Sequence, residues 1–145
     1  MQFSKSSGQL IAIVDSGPLY AAADADDIDH LRSREVLERL DLDLVVPALV
    51  VAEVTYFLGR RLGARAEAAF LRALESLEVE APEPEDWREI GSLVERYSDF
   101  PLGGTDASVV ILAERLGTDL VITLDRRHFQ AVRRRNGGAF RILPD

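Results

Sequence analysis

The strongest structural signal in the chain is Leu10–Asp15, which reads Leu-Ile-Ala-Ile-Val-Asp. Five consecutive apolar residues bounded by a turn signal are typical of a strand that is buried on both faces of a sheet. Ser16, Gly17 and Pro18 end this strand, and an apolar, alanine-rich helix is predicted to follow. Ligands of an open parallel sheet bind beyond the carboxyl ends of its strands. The sequence therefore predicts that Asp15 faces such a crevice.

The remainder of the chain alternates predicted helices with predicted strands, which indicates an α/β three-layer sandwich with a mostly parallel sheet of about five strands. The further predicted helices lie at His30–Leu40, Ala48–Leu62, Ala64–Ser76, 86–97, Thr105–Leu116 and Arg126–Arg133. The further predicted strands lie at Leu44–Val46, Leu77–Ala81, Asp119–Leu124 and Phe140–Leu143. At 145 residues, we expect a single domain at residues 10–145, preceded by a loose polar tail at residues 1–9.

Composition limits the chemistry that the chain can carry. There is no cysteine and there are two histidines, so a metal site would use mainly oxygen ligands, which favours Mg²⁺ or Mn²⁺ over Zn²⁺. The net charge of −8 argues against binding nucleic acid by bulk attraction. No apolar stretch reaches membrane-spanning length and no signal-peptide pattern is visible, so we expect a cytoplasmic protein without a membrane partner.

Four carboxylates are candidates for a site, and three of them have a simple structural explanation. Asp15 follows a strand and precedes a helix, where a short acid can cap the helix. Asp106 suits the first turn of a helix with Thr105 as its expected N-cap. Asp125 follows a predicted strand and suits a turn. Taken singly, each of these residues has a common structural role.

Glu53 is harder to explain structurally, because every other residue from 48 to 54 is apolar. A half-buried carboxylate is costly unless a cation or hydrogen-bond donors face it. The alternative is a narrow polar strip beside Arg60.

The predicted positions of the four acids favour a common site, since all four are expected near the carboxyl edge of one sheet. Clustered carboxylates repel one another, and hard divalent cations relieve that repulsion; two such ions ~4 Å apart can activate water at a phosphodiester.

Four short motifs, in order, resemble those of PIN-domain ribonucleases, in particular the VapC toxins of toxin–antitoxin pairs. The motifs are Val14-Asp15-Ser16-Gly17, Val51-Ala52-Glu53-Val54, Thr105-Asp106-Ala107-Ser108 and Ile122–Phe129. The resemblance covers residues 10–143 and implies a Mg²⁺- or Mn²⁺-dependent endoribonuclease on a five-stranded parallel sheet. It implies that Asp15, Glu53 and Asp106 are the main metal ligands and catalytic acids, and that Asp125 is a more variable fourth.

The resemblance carries further expectations about mechanism and partners. It implies in-line hydrolysis of RNA that leaves a 5′-phosphate and a 3′-hydroxyl, a small DNA-binding antitoxin whose carboxy-terminal segment crosses the active site, and a homodimer. Supporting positions next to the acids are expected at Ser16, Thr105 and Thr123. Candidates for contact with RNA phosphates are Arg126, Arg127, Arg133, Arg134 and Arg135. The alternative for the last three is a solvated helix end, and His128 is expected to pack at a helix end.

Other functional classes fit less well. Aspartyl-phosphate enzymes and receiver domains need a lysine near the phosphoryl group, and the only lysine here is Lys5, in the tail. The glycine motifs of dinucleotide-binding and P-loop proteins are absent from the sequence. A degenerate PIN-like protein that only binds RNA or a partner remains the alternative, although the presence of all four acids argues against it.

Overall fold

A computed structural model describes residues 10–145 of the chain, and the tail expected at residues 1–9 lies outside the described residues. One sheet has the order β3-β2-β1-β4-β5, and every pairing in it is parallel. The predicted α/β class with about five strands is confirmed. The strands are β1 (Leu10–Val14), β2 (Leu42–Pro47), β3 (Glu78–Glu80), β4 (Leu120–Ile122) and β5 (Arg141–Leu143).

Helices connect these strands and cover both faces of the sheet. The chain passes from β1 to β3 in one direction, then crosses back to β4 and continues outward to β5. Since parallel crossovers are right-handed, the helices before β3 lie on one face and those after β3 on the other. The helices are α1 (Ser16–Ala23), α2 (His30–Leu37), α3 (Ala48–Leu62), α4 (Ala64–Ala73), α5 (Asp86–Arg96), α6 (Gly104–Arg115) and α7 (Arg126–Ala131).

The predicted helix ends agree with the structure where a local signal marks them. Gly63 and Gly117 follow α3 and α6 with φ angles of 94° and 70°, a conformation that glycine adopts at little cost after a helix. The end of α2 differs, because the helix stops at Leu37 rather than at the predicted Leu40. Leu40 is 74% exposed, so no core contact holds a further turn of helix.

The apolar core lies on both faces of the central strands, as the sequence of β1 predicts. Ala12, Ile13 and Val14 have no exposed surface, and Phe70 on α4 and Phe129 on α7 are also fully buried. This core holds the carboxyl ends of β1 and β4 side by side. No helix within residues 10–145 is long and apolar enough to span a membrane, and the cytoplasmic location stays a prediction.

Candidate active site

An open cleft of about 570 Å³ lies beyond the carboxyl ends of β1 and β4. The chain leaves β1 toward β2 on one side and enters β4 on the other, so this is the point where strand order reverses and where ligands bind in open α/β sheets. All four predicted acids line this cleft. Its lining is Asp15, Ser16, Gly17, Glu53, Gly103, Gly104, Thr105, Asp106, Leu124 and Asp125.

Asp15 occupies the deepest position among the acids and is 5% exposed. Its backbone amide donates to the carbonyl of Ile122 at 2.9 Å, which ties the end of β1 to β4. The Thr123 hydroxyl donates to Asp15 Oδ2 at 2.7 Å. Asp15 is the N-cap residue of α1 by position, but its side chain does not accept the usual capping hydrogen bond from an amide two or three residues farther on. β1 and Thr123 instead hold this carboxylate at the cleft.

The protonation of Asp15 is strongly perturbed. Burial raises its pKa from 3.8 to about 7, and the negative charges of Asp106 and Glu53 act in the same direction. The hydrogen bonds from the Thr123 hydroxyl and the Ser16 amide oppose the increase. A carboxylate in this setting needs either a proton or a nearby cation at neutral pH.

Asp106 lies in the first turn of α6 and is half-buried. Burial raises its pKa, and repulsion by Asp125 adds to the increase. The N-cap of α6 is Gly103, and no side chain caps the helix. The expectation that Thr105 caps it is therefore wrong, because α6 begins one residue earlier than predicted and places Thr105 inside the first turn.

Glu53 projects from α3 toward the same cleft and is half-buried. Its helical neighbours Val50 and Val54 are fully buried, in agreement with the apolar surroundings expected from the sequence. Within residues 10–145, Glu53 forms no ion pair with Arg60. The structure therefore gives no support to a polar strip that pairs these two residues.

Asp125 combines a structural role with a place in the cleft. It is the N-cap of α7, since its Oδ1 accepts a hydrogen bond from the His128 amide at 3.2 Å. Its own backbone amide donates to the Thr123 hydroxyl at 2.9 Å. Because the same hydroxyl donates to Asp15, Thr123 connects the acids that follow β1 and β4.

The other two residues expected to support the acids also line the cleft. Ser16 is 9% exposed, and its hydroxyl has no hydrogen-bond partner among the described residues. A buried polar atom without a partner is costly and indicates that a ligand or solvent molecule satisfies it. The carbonyl oxygen of Thr105 accepts a hydrogen bond from the Ser108 hydroxyl at 2.6 Å. Their roles toward the acids stay predictions.

The arginines proposed for RNA contact divide between two surfaces. Arg126 and Arg127 directly follow Asp125 and are exposed; Arg126 donates to the carbonyl of Pro144 at 3.0 Å. Arg134 and Arg135 line a separate cleft of about 390 Å³ together with acids of α5 and α6. Helix α7 ends at Ala131, so the run Arg133–Arg135 lies in a loop. The alternative that these arginines form a solvated helix end is therefore wrong.

Arg135 is neutralised by neighbouring acids. Its guanidinium pairs with Glu89 on α5 and, at 3.0 Å, with Glu114 on α6. Such a residue has less free charge for phosphate than an unpaired arginine. Contact between any of the five arginines and RNA stays a prediction.

The sequence predicts only a packing role for His128, at the end of a helix. It does pack, with its ring 5.0 Å from Phe100 in an edge-on arrangement. Its Nδ1 also contacts Asp125 Oδ2. Ligand atoms of Asp106, Asp125 and His128 all lie within 4.8 Å of one another. The spacing of three residues from Asp125 at the start of a predicted helix was the available signal, because residues three apart share a helix face.

Comparisons with known proteins agree with this geometry. The PIN domain family model matches residues 12–135. Ribonuclease VapC26 of Mycobacterium tuberculosis is 37% identical over 134 residues, which cover 91% of this chain and 99% of that protein. The resemblance predicted from the four acidic motifs is thereby confirmed.

Solved structures share the fold. The crystal structure of VapC20 from Mycobacterium tuberculosis, described as a Sarcin-Ricin loop cleaving toxin, has a TM-score of 0.70 and 20% identity, and the match covers 76% of this chain and 86% of that one. VapBC2 from Rickettsia felis, bound to a DNA fragment from their promoter, has a TM-score of 0.68 and 14% identity, covering 93% and 100%. With its motifs, family match and sheet order in agreement, this chain belongs to the PIN-domain family as a VapC-type member.

Proposed function

We propose that this chain is a divalent-metal-dependent endoribonuclease that hydrolyses RNA phosphodiester bonds as the toxin of a type II toxin–antitoxin pair. The observation that carries the proposal is the convergence of four carboxylates, from four separate elements, on one cleft at the strand-order reversal. The 37% identity to Ribonuclease VapC26 over most of both chains supports RNA as the substrate.

The residues of the cleft fit a hard divalent cation. Asp15 is desolvated and repelled by Asp106, and a cation between them would remove both penalties. Asp15, Glu53 and Asp106 would hold the ion, with Asp125 at the edge of the same site. A bound Mg²⁺ or Mn²⁺ would supply positive charge to the scissile phosphate and lower the pKa of water beside it.

The remaining groups of the cleft would position the acids and the phosphate. Thr123 donates one hydrogen bond to the Asp15 carboxylate and accepts another from the Asp125 backbone amide, so it joins the Asp15 side chain to the backbone of Asp125. Gly104 and Thr105, in the first turn of α6, also line the cleft. Free amides at the start of a helix favour a nearby phosphate oxygen.

RNA would reach this acidic cleft with help from basic residues on its border. Arg126 and Arg127 follow Asp125 directly and are exposed, so we propose that they contact phosphates that flank the cleaved bond. Such contacts position the nucleic acid without reading its sequence. Arg133, Arg134 and Arg135 would act farther along the strand, and Arg135 would contribute least because Glu89 and Glu114 already pair with it.

The proposed partners follow from the same cleft. A small DNA-binding antitoxin would place a cationic side chain, such as arginine, among the acids and so block the cation and the RNA together. The Rickettsia felis VapBC2 structure, bound to promoter DNA, supports a partner of this kind. Exposed apolar side chains on α3 and α4, including Tyr56, Leu62 and Leu71, offer surface that an antitoxin or a second copy would cover.

The experiment that tests the function measures cleavage of single-stranded RNA by the purified chain with Mn²⁺, with Mg²⁺ and with excess EDTA. We expect cleavage with either ion, loss of cleavage in EDTA, and a decrease of at least about 100-fold for Asp106→Asn. The control is Asp26→Asn, since Asp26 is exposed between α1 and α2 and lies outside the cleft. Full activity of Asp106→Asn or in EDTA would reject the mechanism. RNA binding without cleavage by the unmodified chain would instead favour a degenerate binding protein.

A further inference from the structure

An aromatic ring lies beside the cleft on the α7 side, outside the cleft lining itself. Phe100 belongs to the segment between α5 and α6, three residues before Gly103, which lines the cleft. The centre of the Phe100 ring lies 5.0 Å from that of the His128 ring. A ligand atom of His128 lies in turn within 4.8 Å of carboxylate oxygens of Asp106 and Asp125. A single side chain therefore separates the aromatic ring from the carboxylates.

Contacts within the protein hold the Phe100 ring in place. Its backbone amide donates to the carbonyl of Tyr97 at 2.9 Å, and Leu102, two residues farther on, is 2% exposed. The ring meets His128 edge-on, with an angle of 83° between the two ring planes, and Phe100 is half-buried. Because these contacts already fix the ring, a ligand that binds beside it costs little conformational freedom of Phe100.

The guanidinium of Arg127 lies over this ring, 5.1 Å from its centre. Arg127 is exposed, and among the described residues its guanidinium takes part in no ion pair and no hydrogen bond. The preceding arginine differs, since Arg126 donates to the carbonyl of Pro144 at 3.0 Å. An arginine that rests on an aromatic ring keeps its outer planar face and its donors available for a ligand.

The position of this planar cation suits one part of an RNA strand. Bases that are not paired stack on aromatic rings and on guanidinium planes, and arginine adds a cation–π attraction. A phosphate bound at the carboxylates of Asp106 and Asp125 would bring the neighbouring base of the same strand to the side of the cleft where Arg127 and Phe100 lie. The pair would then contact the nucleotide next to the cleaved bond.

We propose that Arg127, supported by Phe100, forms a binding position for one unpaired base next to the scissile phosphate, with the base stacked on the outer face of the guanidinium. This inference rests on the proposed ribonuclease function. It goes beyond phosphate contact, because a phosphate needs the charge of the side chain, whereas a stacked base needs its plane. Since every base has a face that can stack, the position favours an unpaired nucleotide and distinguishes little among the four bases.

The test compares the cleavage of two single-stranded RNA oligonucleotides by the full chain with Mn²⁺, after the cut site has been mapped. The second RNA lacks the base at a nucleotide that flanks the cut, and each flanking nucleotide is tested in turn. In the unmodified chain we expect kcat/KM to fall about tenfold when the base is removed at one of these nucleotides. Arg127→Lys keeps the charge and loses the plane, so it should cleave the intact RNA about tenfold more slowly and show no further decrease when that base is removed.

Two further variants separate the supporting ring from general effects. Phe100→Leu keeps apolar surface but removes the ring under Arg127, so the dependence of kcat/KM on the base should fall to about threefold or less. Arg126→Lys is the matched control and should keep the full dependence on the base, whatever its effect on the rate. Each variant is compared with itself on two RNAs, so a loss of folded protein lowers both rates equally and leaves their ratio unchanged.

The outcomes distinguish this inference from the proposed function. Equal dependence on the base in the unmodified chain and in Arg127→Lys would overturn the inference, as would no dependence in the unmodified chain. Loss of the dependence in Arg126→Lys to the same extent would overturn the assignment to Arg127. In each of these cases the proposed function stands, because the unmodified chain still cleaves RNA. Absence of cleavage by the unmodified chain with Mn²⁺ would contradict both.

Discussion

The raised pKa of Asp15 predicts that the metal-free protein is stabilised by removing this charge. Burial raises the pKa of the carboxyl group from 3.8 to about 7, so the native state binds the proton more tightly than the unfolded state. The resulting stability is present at low pH and is lost as the pH rises from about 4 to about 7. A difference of this size corresponds to about 4 kcal/mol once Asp15 is ionised in both states.

The substitution that tests this reasoning is Asp15→Asn, because asparagine is similar in shape and stays neutral. Its carbonyl oxygen can accept the Thr123 hydrogen bond that Asp15 Oδ2 accepts now. In EDTA at pH 8 we expect the free energy of unfolding of Asp15→Asn to exceed that of the unmodified chain by about 4 kcal/mol. At pH 5 the difference should fall to about 2 kcal/mol, since the native carboxyl group is then protonated.

Urea denaturation at both pH values, with EDTA present, measures these differences. Asp26→Asn provides the control and should change the free energy of unfolding by no more than about 0.5 kcal/mol, because Asp26 is exposed. Addition of Mn²⁺ should stabilise the unmodified chain and have less effect on Asp15→Asn. Equal stability of the two proteins at pH 8, or a difference that does not depend on pH, would refute the argument that burial perturbs this carboxylate.

Two further substitutions test neighbouring parts of the argument. Thr123→Val removes the hydrogen bond that lowers the pKa of Asp15. In EDTA the loss of stability should begin near the same pH in both proteins and continue to a higher pH in Thr123→Val than in the unmodified chain. If the loss ends at the same pH in both proteins, Thr123 does not act on the pKa of Asp15. Phe70→Ala empties a fully buried position on α4 and should lower the free energy of unfolding by about 3–5 kcal/mol, and a loss below about 1 kcal/mol would contradict the packing of this core.

Elements marked by local signals could be predicted closely from the sequence. Helix α3 occupies the predicted Ala48–Leu62, because Pro47 and Gly63 mark its two ends. Strand β2 is longer than predicted and begins at Leu42, which pairs with Leu10 of β1. Its additional residues are stabilised by pairing with the neighbouring strand β1. Such pairing cannot be predicted from the local sequence of β2.

The candidate site also has some residues that could be predicted from local sequence signals and others that could not. Asp15 and Asp125 were placed at one sheet edge because each follows a buried apolar run, and the structure brings both to the cleft. The contact of His128 with Asp125 could not be assigned a chemical meaning from the sequence, since histidine at the start of a short helix is common. Its proximity to Asp106 depends on how α6 and α7 pack on the sheet.

The amino-acid sequence by itself determined the order of strands and helices, the approximate positions of their ends, and the places of the four acids relative to those ends. These properties depend on residues a few positions apart, through periodicity, capping and turn preferences. Tertiary structure alone decided the strand order, the desolvation of Asp15, and the hydrogen bond that joins it to Thr123 across 108 residues of chain. Such contacts form only when the helices pack on the sheet, because residues from distant segments are then buried together and shift one another's pKa values.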